Sequence, residues 1–197
     1  MTWNLRLATS GDAAAIAEIY RPIVVSTPIS FELEPPDEHE FERRIEKTLA
    51  AHPWLVCEYQ RQVAGYAYAS RHRERAAYQW SVDTSVYVHS DFRRRGVGQA
   101  LYTSLFRILV AQGYYNAYAG ITLPNPGSVG LHESVGFKPL CVYRNVGYKL
   151  GTWYDVGWWE LALQPVTAKP QIPLKPAEVQ SDSSWHELLA SGLSRIH

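Results

Sequence analysis

Ser85-Val86-Tyr87-Val88-His89-Ser90-Asp91-Phe92-Arg93-Arg94-Arg95-Gly96-Val97-Gly98-Gln99-Ala100-Leu101 is the stretch that decides how this chain is read. A β-branched, apolar run turns through a basic loop punctuated by two glycines and enters a segment in which Val97, Leu101, Leu105 and Ile108 recur at helical spacing. That geometry suits a diphosphate. Gly96 and Gly98 remove side chains where main-chain amides must approach phosphate oxygens, and the first N–H groups of a helix have no preceding turn to bond. The helix dipole adds about 0.3 to 1 kcal/mol for an anion there, and Arg93, Arg94 and Arg95 bring full charge. No Gly-Lys-Ser/Thr follows, so this is not a nucleotide P-loop, and the full GxGxxG of a dinucleotide fold is missing.

Working outward, residues 54–59, 63–70 and 80–88 read as strands with short breaks, which predicts an antiparallel meander. Residues 3–8 alternate like a strand, and Thr9 and Asp12 have capping-box spacing before a helix carrying Ile16, Ile19 and Tyr20. Asp37 caps a second helix with Phe41, Ile45, Thr48 and Leu49 on one face. Downstream, Gly113 closes the central helix. Residues 118–123 read as a strand, 126–135 as a short helix ended by Gly136, and 137–143 and 154–163 as closing strands. The order is β-α-α-β-β-β-α-β-α-β-β, an α+β (α/β) class with a mixed sheet. Prolines 165, 170, 173 and 176 then mark a linker before a small helix within 184–196. The expected division is a catalytic domain over 1–164 and a Pro-rich linker and tail over 165–197.

The 197 residues balance 19 Lys+Arg against 19 Asp+Glu, so no broad field favours nucleic acid or an anionic membrane, and an anion site must be built locally. Cys57 and Cys141 both sit in apolar runs and read as small core residues of a reduced, cytoplasmic protein. No His/Cys cluster has metal-ligand spacing, so no metal is expected. The first residues lack a secretory pattern, and no segment approaches the roughly 20 apolar residues of a membrane span.

Arg93-x-x-Gly96-x-Gly98 after Val86-Tyr87-Val88 resembles the acetyl-CoA motif of the GNAT N-acetyltransferase superfamily. Asn125-x-x-Ser128-x-x-Leu131-His132-x-x-x-Gly136-Phe137 resembles its second motif. A closer resemblance covers roughly residues 5–163 and is to the phosphinothricin and methionine sulfone/sulfoximine acetyltransferase branch. It is carried by Pro53-Trp54-Leu55-Val56, Ala64-Gly65-Tyr66-Ala67-Tyr68-Ala69, residues 77–88, Leu131-His132-Glu133, and Gly147-Tyr148-Lys149 with Asp155-Val156-Gly157.

The resemblance implies a mostly antiparallel twisted sheet splayed at its central strands and flanked by helices. It implies acetyl-CoA as co-substrate, a small-molecule amine as acceptor and a homodimer. The coenzyme would lie along Val86, Tyr87 and Val88 and against Arg93 to Gln99, with Asn125, Ser128 and Ser134 on the other side. An exposed Val88 amide would polarise the thioester carbonyl, a contribution on the order of 10² to 10³ in rate. Asp83 is the candidate base. It stands five residues before Val88, on the opposite face by alternation unless a bulge intervenes, as the family leads one to expect, and where relatives usually carry Glu its shorter side chain favours a water relay. His132 fills a slot where many members place Tyr and is the candidate acid for the departing thiolate. Arg73, Arg75 and Tyr78 are expected to bind the acceptor's carboxylate or phosphinate, with Phe31, Lys149 and Trp153 lining the pocket across the dimer. Transfer to a protein N-terminus or another metabolite amine, and a non-catalytic acetyl-CoA-binding module, are the competing readings.

Overall fold

Strands joined by short connections pair in chain order because the intervening loops are cheap to close. The computed structural model describes residues 2–197. In it β2 (Trp54–Tyr59), β3 (Gln62–Arg71) and β4 (Ser81–Val88) form the expected antiparallel meander, with β1 (Trp3–Leu7) antiparallel on the outer edge of β2. After α3 (Val97–Gln112), β5 (Asn116–Leu123) lies parallel to β4. The hairpin of β6 (Lys138–Lys149) and β7 (Thr152–Ala162) completes a seven-stranded sheet in the order β1-β2-β3-β4-β5-β7-β6.

Two cores lie on its two faces. α1 (Ala13–Ser26) and α2 (Glu38–Leu49) bury Ile16, Val24, Phe41 and Ile45 against Trp54, Val56 and Tyr66. α3 buries Leu101, Leu105 and Ile108 against Leu55, Ala67 and Val82 on the other side, where α4 (Pro126–Ser134) also packs. The helix ends follow from their sequences. The Asp37 carboxylate accepts from the Glu40 amide at 2.8 Å, and glycines with φ of 81° and 95° bracket α3. Thr9 and Asp12 do pair, the Thr9 amide donating to the Asp12 carboxylate at 2.7 Å.

Three expectations need correction. Residues 144–153 are strand and hairpin rather than loop; the alternation was broken by a register irregularity between Tyr143 and Gly147 and by left-handed Asn145 and Leu150. Cys141 is exposed, because β6 is an edge strand, whereas Cys57 is buried and its thiol is pushed up to about 12 by that burial. The helix within 184–196 is two pieces, α6 (Trp185–Ala190) and a 3-10 turn at Leu193–Arg195, preceded by α5 (Pro176–Gln180). These pack on α3, with Val179 and Trp185 buried. The Ser104 hydroxyl ties them down, donating to the Leu189 carbonyl at 2.7 Å and accepting from the Gly192 amide at 3.0 Å.

Candidate active site

A parallel pair of eight-residue strands can form a long ladder, yet β4 and β5 pair only over Ser81–Asp83 and Asn116–Tyr118. Beyond Asp83 they part, β4 staying with β3 and β5 with β7. The buried Thr84 hydroxyl donates to the Tyr118 carbonyl at 3.3 Å and so occupies the acceptor where the ladder stops. The His89 amide donates to Ala64 across β3 at 2.9 Å. Antiparallel alternation therefore turns the Val86 and Val88 amides away from β3 and into the fork.

The β3–β4 register runs unbroken from Gly65↔Val88 to Arg71↔Val82, so no bulge lies between Asp83 and Val88. That corrects the expectation of one. The Asp83 and Val88 side chains do take opposite faces, but the group of interest at Val88 is its amide, which lies in the plane of the sheet.

A cleft of about 600 Å³ opens from the fork toward the start of α3. Its walls hold Val86, Tyr87, Val88, Arg93, Arg94, Gly96, Val97, Gly98, Gln99, Asn125, Ser128 and Ser134. Of the residues expected to hold the coenzyme, only Arg95 is turned away, its guanidinium 5.7 Å over the Phe92 ring. The amides of Val97, Gly98 and Gln99 begin α3 and have no intrahelical partner. Asn125 caps α4, its side chain accepting from the Ser128 amide at 3.1 Å, and Gln99 donates to the Ser134 hydroxyl at 3.0 Å.

The glycines serve packing as well as access. A Cβ on Gly98 would stand 2.8 Å from Leu131 of α4, and one on Gly96 2.0 Å from the Arg195 carbonyl. The tail therefore forms the end of this cleft, where His197 lines it and donates its amide to the Arg95 carbonyl at 3.2 Å. Sequence reasoning placed a small helix within 184–196 but not its end against this cleft.

On the α1–α2 face of the fork, Asp83 stands beside Tyr118 with its carboxyl pushed up from the ordinary range by burial, against the opposing pull of His72 and Arg73. Arg73 lies 5.9 Å over the Trp158 ring, whose buried indole N–H has no partner, and Tyr78 is half exposed nearby. Gly120, opposite Trp158 on β5, lets the indole lie across it, with a Cβ there only 3.4 Å from the ring. His72 and Trp158 were not singled out from sequence. Arg75 caps the short turn at Ala76–Tyr78 and is exposed.

Phe31 and Lys149, expected to line the acceptor pocket across a dimer, make contacts within the chain. Phe31 packs on Gly147, where a Cβ would fall 2.1 Å from its ring, and the Lys149 ammonium donates to the Ser30 carbonyl at 2.6 Å. Both pin the α1–α2 loop to the β6–β7 hairpin. Trp153 points outward against Tyr148, with ring centroids 5.3 Å apart.

His132 does not open on the cleft. It is buried, its Nε2 accepts from the Tyr102 hydroxyl at 2.9 Å, and its Nδ1 donates to the Ser128 carbonyl at 2.7 Å. Burial lowers its pKa, opposed by the bond to Ser128. The expectation of a free acid at this slot meets a neutral ring with both nitrogens engaged.

The profile of the Acetyltransferase (GNAT) domain matches residues 5–158. The chain belongs to the GNAT acetyltransferase family. This GNAT chain is 38% identical over 172 residues to a phosphinothricin N-acetyltransferase of Streptomyces viridochromogenes, covering 87% of this chain and 94% of that one. It is 32% identical to the L-methionine sulfoximine/L-methionine sulfone acetyltransferase of Salmonella typhimurium, over 81% and 94% of the two chains. A phosphinothricin acetyltransferase of Sinorhizobium meliloti, solved in complex with acetyl-CoA, superposes with a TM-score of 0.82 at 35% identity, over 87% of this chain and 94% of that one.

The GNAT cleft here fits the same thioester. Free amides and two arginines stand at one end of it, and unpaired strand amides at the other.

Proposed function

We propose that the protein transfers the acetyl group of acetyl-CoA to the primary amine of a small anionic amino-acid analogue of the phosphinothricin or methionine sulfone type. The observation that carries this is the fork, which offers the Val86 and Val88 amides to a thioester in the cleft while Asp83 and Arg73 stand on the adjoining face. The thioester supplies the activated acetyl group. Val97, Gly98 and Gln99, with Arg93 and Arg94, hold its diphosphate, and the Val88 amide stabilises charge on the carbonyl oxygen. Arg73, exposed on this face, binds the acceptor's acid group. The names of the relatives support that acceptor class.

His132 enters this reading as a positioning residue that ties α4 to α3 through Ser128 and Tyr102. A thiolate with a conjugate acid near pKa 8.5 needs no strong donor at neutral pH. Arg75, Tyr78 and Trp153 are exposed, which leaves them free to meet an acceptor or a second copy. We further propose a homodimer through the edge strand β6, where Leu140, Val142, Val146 and Tyr148 are exposed, together with Leu150 of the hairpin turn and Trp153 of β7. Two unpaired cysteines, one of them exposed, suit a reducing, cytoplasmic setting.

A thiol-release assay with methionine sulfone, methionine sulfoximine, phosphinothricin and a protein-tail peptide tests the acceptor class. Turnover is expected with the first three. Turnover with the peptide alone overturns the small-molecule assignment, and light scattering that shows a monomer overturns the dimer.

A further inference from the structure

His72 follows β3 and folds back over the sheet until its Nδ1 lies 2.7 Å from the Asp83 carboxylate. Its ring stacks on Tyr118 with centroids 4.4 Å apart and an interplanar angle of 23°, and Tyr78 stands edge-on at 6.2 Å. Asp83 and Tyr118 are the last paired residues of β4 and β5, so the imidazole is seated over the apex of the fork. A carboxylate only accepts, so Nδ1 carries the proton and the free lone pair is on Nε2. Among the described residues nothing hydrogen-bonds Nε2, and it is not one of the enclosed polar atoms. The ring thus presents a base to the acceptor face while Asp83 holds it from behind.

We infer that His72, oriented by Asp83, is the group that removes the acceptor's ammonium proton, so that this enzyme works with a His–Asp dyad at the fork. The inference rests on the acetyl-transfer reading above and gives Asp83 a different part in it. The Asp83 carboxylate is already engaged by His72 Nδ1 at 2.7 Å, which leaves Nε2 as the free basic atom of the pair. The groups facing the ring are Asp83 from β4, Tyr118 from β5 with Glu160 of β7 beside it, Tyr78 from the turn after β3, and Arg73 from its own loop. A preceding peptide carbonyl is also braced, because Arg73 donates to the His72 carbonyl at 2.8 Å.

The step balances without a further reactant. The ammonium gives one proton to Nε2, leaving a neutral amine and an imidazolium beside the carboxylate. The amine lone pair forms the C–N bond as the C–S bond breaks, and the sulfur leaves with the bonding pair. It takes up the second nitrogen proton, and Nε2 returns the first to solvent. One ammonium and one acetyl thioester become one amide, one thiol and one free proton.

The test compares wild type with His72→Gln, His72→Phe, Asp83→Asn and the His72→Gln/Asp83→Asn double variant. It uses methionine sulfone and acetyl-CoA, kcat and KM across the neutral pH range, and acetyl-CoA affinity by calorimetry. The expected result is a fall in kcat of about 10²-fold for both His72 variants, with the acid limb of the pH profile gone and acetyl-CoA affinity within about twofold. The double variant is expected to be no slower than His72→Gln, since the two residues act as a unit. A His72→Gln enzyme that binds acetyl-CoA normally and keeps its kcat and acid limb sinks the dyad alone. A wild type that neither binds acetyl-CoA nor acetylates any of the amines removes the transfer reading and the dyad with it.

Discussion

Gly192→Ala perturbs the cleft from outside. Gly192 has φ −81° and ψ −18°, a conformation open to any residue, so the substitution adds no backbone strain of its own. The added methyl would stand 1.9 Å from the Ala100 carbonyl oxygen and 2.7 Å from its carbon. Both are main-chain atoms of α3, which no rotamer change can move. The tail must retreat by more than about 1 Å to reach ordinary contact. That lengthens the bond from the Gly192 amide to Ser104, now 3.0 Å, and strains the one from Ser104 to Leu189, now 2.7 Å. Overpacking of this kind costs about 1 to 3 kcal/mol, and weakening two hydrogen bonds raises the total to about 2 to 4 kcal/mol.

At roughly 2 to 4 °C per kcal/mol for a chain of this size, thermal unfolding should fall by about 4 to 16 °C. The same retreat pulls on the Arg195 carbonyl packed at Gly96 and on His197 at the end of the cleft. Losing about 1 kcal/mol there weakens acetyl-CoA binding about fivefold by calorimetry. Gly151→Ala is the control: its φ of +79° makes it costly, but nothing lies within 4 Å and it is remote from the cleft. It should lower Tm and leave acetyl-CoA affinity alone. A Gly192→Ala protein that melts within about 1 °C of wild type refutes the docked tail. A lower Tm with unchanged affinity refutes its part in the cleft.

His132→Phe removes the partner of the buried Tyr102 hydroxyl and should cost about 1 to 3 kcal/mol in a denaturant titration; as a positioning residue it should leave kcat within about threefold and the pH limbs in place, and loss of the basic limb would restore it as the acid. Asn125→Ala removes the cap of α4 at the cleft wall, with about 1 kcal/mol lost in stability and a raised KM for acetyl-CoA in steady-state assays. Burial of Asp12 works against its charge, but the Arg6 bonds at 2.7 Å and the Thr9 amide outweigh it and hold its carboxyl below the ordinary range. Its stabilisation is therefore full above the unfolded-chain value near 3.9 and lost as pH falls through the lower folded value. Asp12→Asn should lower Tm at neutral pH and flatten the acid side of a Tm-against-pH curve, and an unchanged curve would remove Asp12 from the account.

The parts legible in the sequence are those set by local rules. The loop from Arg93 to Gly98 and the helix after it stand out because glycine, charge and a 3.6-residue period coincide in one stretch, and Asp37 announces a cap by position. Pairings fixed only by the fold were not legible. His72 looked like one polar residue in a basic loop, and nothing local says that the loop returns to lay it on Asp83 and Tyr118. The three arginines read alike, although one turns to Phe92 and two to the cleft. His132 fitted a motif slot, but the motif does not carry Tyr102, thirty positions earlier, which occupies its second nitrogen. The tail gave only prolines and a few apolar residues, while the features that dock it are a missing side chain at Gly192 and a hydroxyl at Ser104.

β4 joins these pieces because a strand has three directions to spend. Its even-numbered side chains, Val82, Thr84, Val86 and Val88, face the α3 core, and Asp83, Ser85 and Tyr87 face α1 and α2. In the plane between, the amides of the even residues first pair with β5 and then enter the fork. A slip of one residue would bury Asp83 under α3, away from His72, and turn those amides back onto β3. The register is held against that slip on both sides. Tyr66 and Tyr68 stack beside Trp54 and fill the α1–α2 face, and Thr84 keeps its bond to the Tyr118 carbonyl at the point where the strands divide. The residues that lock β4 in register therefore lie outside the cleft walls, and the placement of the Val86 and Val88 amides depends on packing the cleft does not include.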